Sequence, residues 1–172
     1  MNSEVFDIWT KEPFIKKEGL NGYATHQPCL HWCLNKTGGN VIELGSGETS
    51  TGFISKLCSD SRTFISLETN GLFYLSNKDK EWIKFVKVAS ITEIESILKN
   101  NTFGVVFIDH APGEHRQTCI EIVKNSSDYV VVHDTEEAGY GYDFSMYKYK
   151  YTFEYYRPFT TILSNKYEID FK

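Results

Sequence analysis

Four apolar runs of the chain are each followed at once by side chains that can bind a ligand or move a proton. These side chains are Glu43, Glu68, the pair Asp109 and His110, and the pair His133 and Asp134. A carboxylate accepts hydrogen bonds or pairs with a cation, and a neutral imidazole with a pKa of about 6.5 can take a proton. If the runs are neighbouring strands of one sheet, these side chains form one site.

The first of these runs leads into a glycine turn, in the segment "VIELGSGETSTGF". Backbone N–H groups in such a turn, and the positive end of a following helix, can hold an anion or a polar ligand. The phosphate loop of NTPases is excluded because no Lys-Ser/Thr follows the glycines. The dinucleotide fingerprint is incomplete, since Ser50 stands where its third glycine would be.

Two carboxylates narrow the choice of ligand at this turn. Glu43 lies at the end of the strand just before the turn, where it would repel a pyrophosphate and could orient an ammonium group. Glu68 ends the second run, where a carboxylate can accept both hydroxyls of a ribose. The combination favours a ligand with a ribose, a cationic amino-acid part and no phosphate, and S-adenosylmethionine is such a ligand.

The elements that must position these residues follow an alternating pattern. Short β-branched or aromatic runs alternate with stretches of helical spacing, which predicts an α/β fold with a parallel sheet. The predicted strands are 39–44, 62–67, 83–88, Phe103–Ile108 and 128–133, and the predicted helices are 49–58, 70–80, Ile91–Lys99 and 114–124. A further helix is predicted in "HQPCLHWCLN", opened by Pro28, and residues 25–28 could form a partial lid or cap this helix.

The C-terminal part has a different pattern. From Met146, "MYKYKYTFEYY" alternates aromatic with polar residues, which predicts a half-exposed strand at a sheet edge. The segment "TTILSNKYEI" predicts a second strand that returns beside it. Between these strands and the fifth run lies "DTEEAGYGYDFSMY", which predicts a mobile, aromatic substrate loop.

Bulk properties limit the class of protein. The length of 172 residues suits one domain, 1–172, with residues 1–38 as an N-terminal helical or lid segment. A net charge of −5 argues against a surface that coats nucleic acid. No signal peptide or long apolar run is visible, so we expect a cytoplasmic protein without a membrane partner. The four cysteines are expected to be reduced, mostly buried thiols.

Five segments in order resemble a known family. "VIELGSGETS", "FISLETN", "VKVAS", "FGVVFIDH" and "YVVVHDT" are similar to the ligand-loop motifs of class I S-adenosylmethionine-dependent methyltransferases, in particular the catechol-type small-molecule O-methyltransferases. The resemblance spans residues 41–135. It implies a three-layer, Rossmann-like α/β sandwich with a mostly parallel seven-stranded sheet and a C-terminal antiparallel strand pair.

The resemblance also implies a set of cofactor-binding residues. They are Glu43, Gly45 and Gly47 at the methionine part, Glu68 at the ribose, Ser90 by the adenine, and Asp109 with His110 beside the sulfonium and the substrate entrance.

The same family holds a magnesium ion with acids at the ends of its fourth and fifth strands. The corresponding residues here are Asp109 and Asp134, with Thr135 in place of an asparagine, and these could still hold Mg²⁺. The general-base lysine of the family has no counterpart, because this chain has Pro112 in "APGEH".

Histidines at the strand ends offer another source of acid–base chemistry. His110 and His133 are the candidate catalytic imidazoles, and Asp134 is the third catalytic candidate, which orients a histidine if no metal is bound. His115 is expected to lie on the surface at a helix start.

The sequence therefore predicts methyl transfer to a hydroxyl of a small molecule or sugar, in an open pocket that a loop or the second subunit of a homodimer could close. Two alternatives stay open. One is a fold relative that binds the cofactor or a partner without transferring a methyl group. The other is a nicotinamide-dependent oxidoreductase, which Ser50 and the lack of a Tyr-x-x-x-Lys pair after the fifth strand disfavour.

Overall fold

A computed structural model describes residues 24–58, 62–77 and 86–171 of the chain. Its strands are β1 (Val41–Leu44), β2 (Phe64–Glu68), β3 (Val86–Val88), β4 (Phe103–Ile108), β5 (Ser127–His133), β6 (Tyr149–Phe153) and β7 (Thr160–Ser164). Its α-helices are α1 (Gln27–Lys36), α2 (Thr51–Leu57), α3 (Gly71–Asn77), α4 (Ile91–Lys99) and α5 (Arg116–Val123). Short 3₁₀ turns span Gly113–His115 and Ala138–Tyr140.

The strands form one seven-stranded sheet in the order β3-β2-β1-β4-β5-β7-β6. Strands β1 to β5 are parallel, and β7 runs antiparallel to both β5 and β6. This confirms the predicted fold class and its C-terminal antiparallel pair. The chain order reverses between β1 and β4, so a crevice opens at the carboxyl ends of these strands, where α/β sheets bind ligands.

A hydrophobic core lies on each face of the sheet, which gives the three layers. Because side chains alternate along a strand, Val105 and Phe107 of β4 pack in one core and Val106 and Ile108 in the other. Residues of α1 and α2 cover the first core, and residues of α4 and α5 cover the second. Burial on both faces explains why β4 reads as a continuous apolar run.

Several element boundaries differ from the sequence prediction. Helix α2 begins at Thr51 rather than residue 49, because residues 48–50 belong to the glycine turn. Helix α5 begins at Arg116, after a 3₁₀ turn. The predicted residues 78–80 of a helix and 83–85 of a strand lie outside the described residues.

The last strand pair also begins later than predicted. Strand β6 starts at Tyr149, and Tyr147 is not part of it. Tyr147 is instead buried, and its hydroxyl donates a hydrogen bond to the carbonyl of Ile120 on α5. Strand β6 is the edge of the sheet, with Lys150 and Thr152 exposed, as the alternation predicts.

The four cysteines are all buried and free, as expected. No helix among the described residues is long and apolar enough to span a membrane.

Two glycines let β1 and β4 approach each other closely at their amino-terminal ends. A Cβ atom added to Gly104 would lie 2.9 Å from both the Cα and the carbonyl oxygen of Gly39. These are backbone atoms, so the strands would have to separate to make room. Gly38, one residue earlier, has nothing within 4 Å of an added Cβ.

We predict that Gly104→Ala lowers the free energy of unfolding by about 1–3 kcal/mol, because overpacking a close backbone contact forces a shift of both strands. The matched control, Gly38→Ala, should change it by less than about 0.5 kcal/mol. Urea denaturation of both variants measures the difference. Equal effects would show that the contact between Gly39 and Gly104 does not constrain the sheet.

Candidate functional site

A cleft of about 730 Å³ opens at the carboxyl ends of β1, β2, β4 and β5. It is lined by Gly45, Ser46, Gly47, Glu48, Thr49, Ser50, Glu68, Asn70, Phe73, Asp109, Ala111, Arg116, His133, Asp134 and Pro158. The parallel strands thus bring together most of the side chains that the sequence singles out.

The glycine turn forms one wall of the cleft and lies directly against the end of β4. Gly45 has a φ of 93°, in the left-handed region that favours glycine. A Cβ atom there would lie 2.6 Å from the carbonyl oxygen of Asp109 and 2.7 Å from the Cα of His110. Glycine is therefore required at position 45 both for the turn and for its contact with β4.

Glu43 lies behind this turn and is not among the residues that line the cleft. It is fully buried, and its Oε2 accepts hydrogen bonds from the hydroxyls of Thr51 and Ser66. Thr51 Oγ1 accepts a hydrogen bond from the backbone N–H of Gly47. Burial raises the pKa of Glu43 to about 7, although the hydroxyls that donate to it lower the pKa. Its expected contact with a ligand is corrected to an indirect role, in which Glu43 holds the turn through Thr51.

Glu68 lies in the cleft with its carboxylate held in one orientation. The backbone N–H of Ser46 donates to Oε2 over 2.9 Å, and the N–H of Asn70 donates to Oε1 over 2.7 Å. Each carboxylate oxygen can accept a second hydrogen bond. Glu68 therefore joins the glycine turn to the end of β2 and keeps acceptor capacity for hydroxyls in the cleft.

Arg116 connects the two acids at the other end of the cleft. Its Nη2 lies 3.1 Å from Oδ1 of Asp109, and its Nη1 lies 3.0 Å from Oδ2 of Asp134. The guanidinium also donates to the carbonyl of His110 from Nε and to the carbonyl of His133 from Nη1. Arg116 is 5% exposed, and the charges of Asp109 and Asp134 raise its pKa against the opposing effect of burial.

His133 faces hydrogen-bond acceptors with both ring nitrogens. Its Nδ1 lies 3.3 Å from Oδ2 of Asp109 and 3.4 Å from Oδ1 of Asp134. Its Nε2 lies 3.0 Å from Oγ1 of Thr25, whose hydroxyl donates to the carbonyl of Pro158. Burial lowers the pKa of His133, but the hydrogen bond to Asp109 and the charges of both acids outweigh it, so the pKa is raised. Nδ1 of His133 therefore faces the two carboxylates, and Nε2 faces the hydroxyl oxygen of Thr25.

No protein-family model matches the chain, and no curated protein matches it. Solved structures do match it, at 12–15% sequence identity. An O-methyltransferase from Bacillus cereus in complex with SAH aligns with 94% of this chain and 89% of its own, at 12% identity and a TM-score of 0.62.

Two further structures are similar over nearly their whole length. Cofactor-bound Rv0187 from MTB aligns with 96% of this chain and 97% of its own, at 14% identity and a TM-score of 0.59. The O-methyltransferase TomG from Streptomyces achromogenes, in complex with SAM, aligns with 94% and 88%, at 15% identity and a TM-score of 0.56. The chain has the class I S-adenosylmethionine-dependent methyltransferase fold.

The residue expected beside the adenine lies elsewhere in this methyltransferase fold. Ser90 is exposed and does not line the cleft. It is the N-cap of α4, and its side chain accepts a hydrogen bond from the backbone N–H of Glu93. Phe73 and Asn70 line the cleft near Glu68 instead. The sequence reasoning missed both, although Asn70 ends the motif "FISLETN" and Phe73 follows three residues later.

His110 is also placed differently from the prediction. Its side chain is 1% exposed, does not line the cleft, and has no hydrogen-bond partner for its ring nitrogens among the described residues. Burial, with the nearby charge of Arg116, lowers the pKa of His110 to about 4. The ring is neutral but does not line the cleft, so a role as general base does not fit its position. His115 is exposed at the start of α5, as expected.

The loop after β5 is packed on Arg116 rather than open to a ligand. The Tyr142 hydroxyl donates to the carbonyl of His133, and the ring of Tyr140 lies 5.0 Å from the guanidinium of Arg116. Tyr147 is buried. None of these three tyrosines lines the cleft. The expected aromatic substrate loop is corrected to a segment that supports the Arg116 network.

The start of α1 is built into the wall of the cleft. Thr25, His26 and Gln27 are buried, and Gln27 Nε2 donates to the carbonyl of Thr49 over 2.7 Å. The side chain of His26, which is at the N-cap position, makes no cap hydrogen bond. Residues 25–28 therefore support the turn and His133. Residues 1–23 of the predicted lid segment lie outside the described residues.

The residues expected to hold magnesium do not fit that ion. Both oxygens of Asp109 and both oxygens of Asp134 already face donors on Arg116 or His133. Thr135 does not line the cleft, and its hydroxyl accepts a hydrogen bond from Thr161. Mg²⁺ requires oxygen ligands around it at short distance. The expectation of a magnesium site is therefore not supported.

A second group of ligand-type atoms also fails as a metal site. Single side-chain atoms of His26, Asp109 and His133 lie within 4.8 Å of one another. A histidine ligand must offer a nitrogen lone pair to the metal, so it cannot carry a proton on that nitrogen. Both ring nitrogens of His133 already face oxygen atoms of the protein, Asp109 at Nδ1 and Thr25 at Nε2, and a metal ion would have to displace one of these contacts.

We predict that the imidazole of His133 titrates above pH 6.5 in an NMR titration, whereas the ring of His110 titrates near pH 4. Because the folded pKa of His133 is raised, its contribution to stability is complete below pH 6.5 and is lost as the pH rises through the folded value. Asp109→Asn should lower the pKa of His133, since it removes a carboxylate from Nδ1.

Glu121→Gln on the exposed face of α5 is the matched control and should leave the pKa of His133 unchanged. If His133 titrated below pH 6.5, or responded equally to both variants, the carboxylate of Asp109 would not raise its pKa as described above.

Proposed function

We propose that this cleft binds S-adenosylmethionine and that the chain transfers its methyl group to a hydroxyl of a small molecule or a sugar. The observation that carries the proposal is the orientation of Glu68. Its carboxylate is held between the glycine turn and the end of β2, and it retains acceptor capacity for the two hydroxyls of a ribose.

The charges of the cleft support a cationic ligand without phosphate. Four acids line it, namely Glu48, Glu68, Asp109 and Asp134. Arg116 is the cation among the described lining residues, and both Arg116 and His133 contact Asp109 and Asp134. A pyrophosphate would meet net negative charge here, whereas an ammonium and a sulfonium would be stabilised.

The shape of the cleft supports the same ligand. Phe73 lines the cleft on the side of Glu68 and offers an aromatic ring to an adenine. Gly45 and Asp109 also line the cleft, and the amino-acid part and the sulfonium would be placed beside them. A ribose at Glu68 would connect the two.

S-adenosylmethionine, when bound, supplies a methyl group on a positively charged sulfur. The chain has to align the acceptor oxygen with this group and take up a proton. The bound cofactor would supply the methyl group, and as the acceptor oxygen took it up, its hydroxyl proton would pass to a carboxylate of the cleft. Asp134 is the residue we assign, because it lines the cleft and the predicted imidazoles offer no free lone pair there.

Asp134 is held for this role by its backbone as well as its partners. It has a φ of 58°, a left-handed conformation that aspartate tolerates better than most residues. The side chain is 25% exposed, so it can reach an acceptor in the cleft.

A second candidate function is cofactor binding without methyl transfer. It is favoured by the finding that His110 is buried and that His133 is committed to its acceptors, so no free imidazole faces the cleft. Transfer of a labelled methyl group to any hydroxyl compound by the wild-type chain, and its loss in Asp134→Asn with retained S-adenosylhomocysteine binding, would exclude this candidate.

We predict that S-adenosylmethionine and S-adenosylhomocysteine bind the wild-type chain in a calorimetric titration and that NAD does not. Glu68→Gln should weaken the binding of S-adenosylmethionine and of S-adenosylhomocysteine by roughly tenfold or more, since it replaces a charged acceptor of ribose hydroxyls by a neutral amide.

Glu121→Gln makes the same chemical change on the surface and should leave the affinities unchanged. Binding of NAD alone would contradict the proposal and favour an oxidoreductase. If Glu68→Gln left the affinity for S-adenosylmethionine unchanged, this would contradict the assignment of the ribose site.

A further inference from the structure

We propose that Arg116 takes the place of a metal ion at this centre, so that the acceptor end of the cleft works without a divalent cation. The part that concerns the acceptor rests on the proposed function. The part that concerns the cation rests on side-chain geometry alone and is tested without cofactor or acceptor.

The first step is the position of the guanidinium. Nη1 and Nη2 of Arg116 each contact one carboxylate, at 3.0 Å for Asp134 and 3.1 Å for Asp109. These acids end β5 and β4, which are neighbours in the sheet, so Arg116 bridges the two strand ends. A divalent cation shared by the two acids would have to occupy the same space.

The second step is the remaining acceptor capacity of the acids. Oδ2 of Asp109 and Oδ1 of Asp134, which do not face Arg116, both face Nδ1 of His133. Each of the four carboxylate oxygens thus already has a nitrogen of Arg116 or His133 within 3.4 Å. A metal ion would have to displace these donors as well as shed its own waters, and Mg²⁺ dehydrates reluctantly.

The third step is the anchoring of Arg116, which resists displacement. Its Nε donates to the carbonyl of His110 over 2.8 Å, and Nη1 donates to the carbonyl of His133 over 3.2 Å. Arg116 therefore contacts a backbone carbonyl and a carboxylate at the end of both β4 and β5. Only a planar guanidinium presents donors in so many fixed directions, and a lysine ammonium in its place could not reach all of these acceptors.

The consequence for the proposed reaction is a restriction on the acceptor. A metal at this position would bind an acceptor through two adjacent oxygens, whereas this centre has only hydrogen-bond acceptors to offer. We therefore infer an uncharged acceptor that presents single hydroxyls to Asp109 and Asp134. Chelating acceptors with adjacent hydroxyls on an aromatic ring gain no advantage here.

Manganese is the probe for this proposal, because Mn²⁺ replaces Mg²⁺ at oxygen sites and is visible by electron paramagnetic resonance. The wild-type chain should bind no stoichiometric Mn²⁺ at millimolar concentration. Arg116→Gln removes the guanidinium and leaves the negative charges of two adjacent carboxylates with less positive charge beside them. This variant should bind Mn²⁺ at least roughly tenfold more tightly than the wild type, and Mn²⁺ should raise its melting temperature.

Two controls locate the effect. Arg62→Gln removes another partly buried guanidinium, which donates to the carbonyls of Leu34 and Thr37 away from the cleft, and it should gain no Mn²⁺ binding. The double variant Arg116→Gln/Asp134→Asn should lose the gain. If Arg116→Gln folds only when Mn²⁺ is present, recovery of folded protein in Mn²⁺ against EDTA gives the same readout.

Stoichiometric Mn²⁺ binding by the wild-type chain that Asp109→Asn abolishes would overturn the proposal. Failure of Arg116→Gln to respond to Mn²⁺ would overturn it too, because the guanidinium would then not occupy a cation position. Neither result depends on S-adenosylmethionine binding, so failure of the proposed function remains distinguishable.

Discussion

The buried guanidinium of Arg116 is the interaction on which the cleft depends. It joins the ends of β4 and β5 through two backbone carbonyls and two carboxylates, and it brings α5 and the loop after β5 against the same point. Removal of one partner from such a network leaves buried charges without compensation, which is strongly destabilising. The positions of Asp109 and Asp134 in the cleft are therefore set by Arg116 of α5 and not by the strands alone.

The opposite wall of the cleft depends on a second buried group. Glu43 has no access to the ligand space, yet its contact with Thr51 fixes the N–H of Gly47, and Ser66 joins it to β2. Gly45 then allows the turn to lie on the backbone of β4. The cleft is thus preorganised on both sides by buried polar groups, and the side chains that face a ligand have little freedom to move.

Much of this arrangement follows from the sequence. Apolar runs with acids at their ends predict neighbouring parallel strands, and they place Gly45, Gly47, Glu68, Asp109 and Asp134 at one edge of the sheet, as the structure has them. The sequence does not show which donors satisfy those acids. For that reason the sequence predicts a magnesium site and histidine bases at these acids, whereas the structure places there a single arginine from "GEHR", whose acceptors are two backbone carbonyls and two carboxylates. The pattern of residue types along the sequence does not show such contacts.

A crystal structure of the chain with S-adenosylhomocysteine tests the central claim most directly, because it shows both the ligand and the acids. The account predicts the ribose hydroxyls within hydrogen-bond distance of Glu68, the amino-acid part against the turn at Gly45, and Arg116 still between Asp109 and Asp134. A ribose away from Glu68, or a cleft that stays empty at saturating S-adenosylhomocysteine, would contradict it.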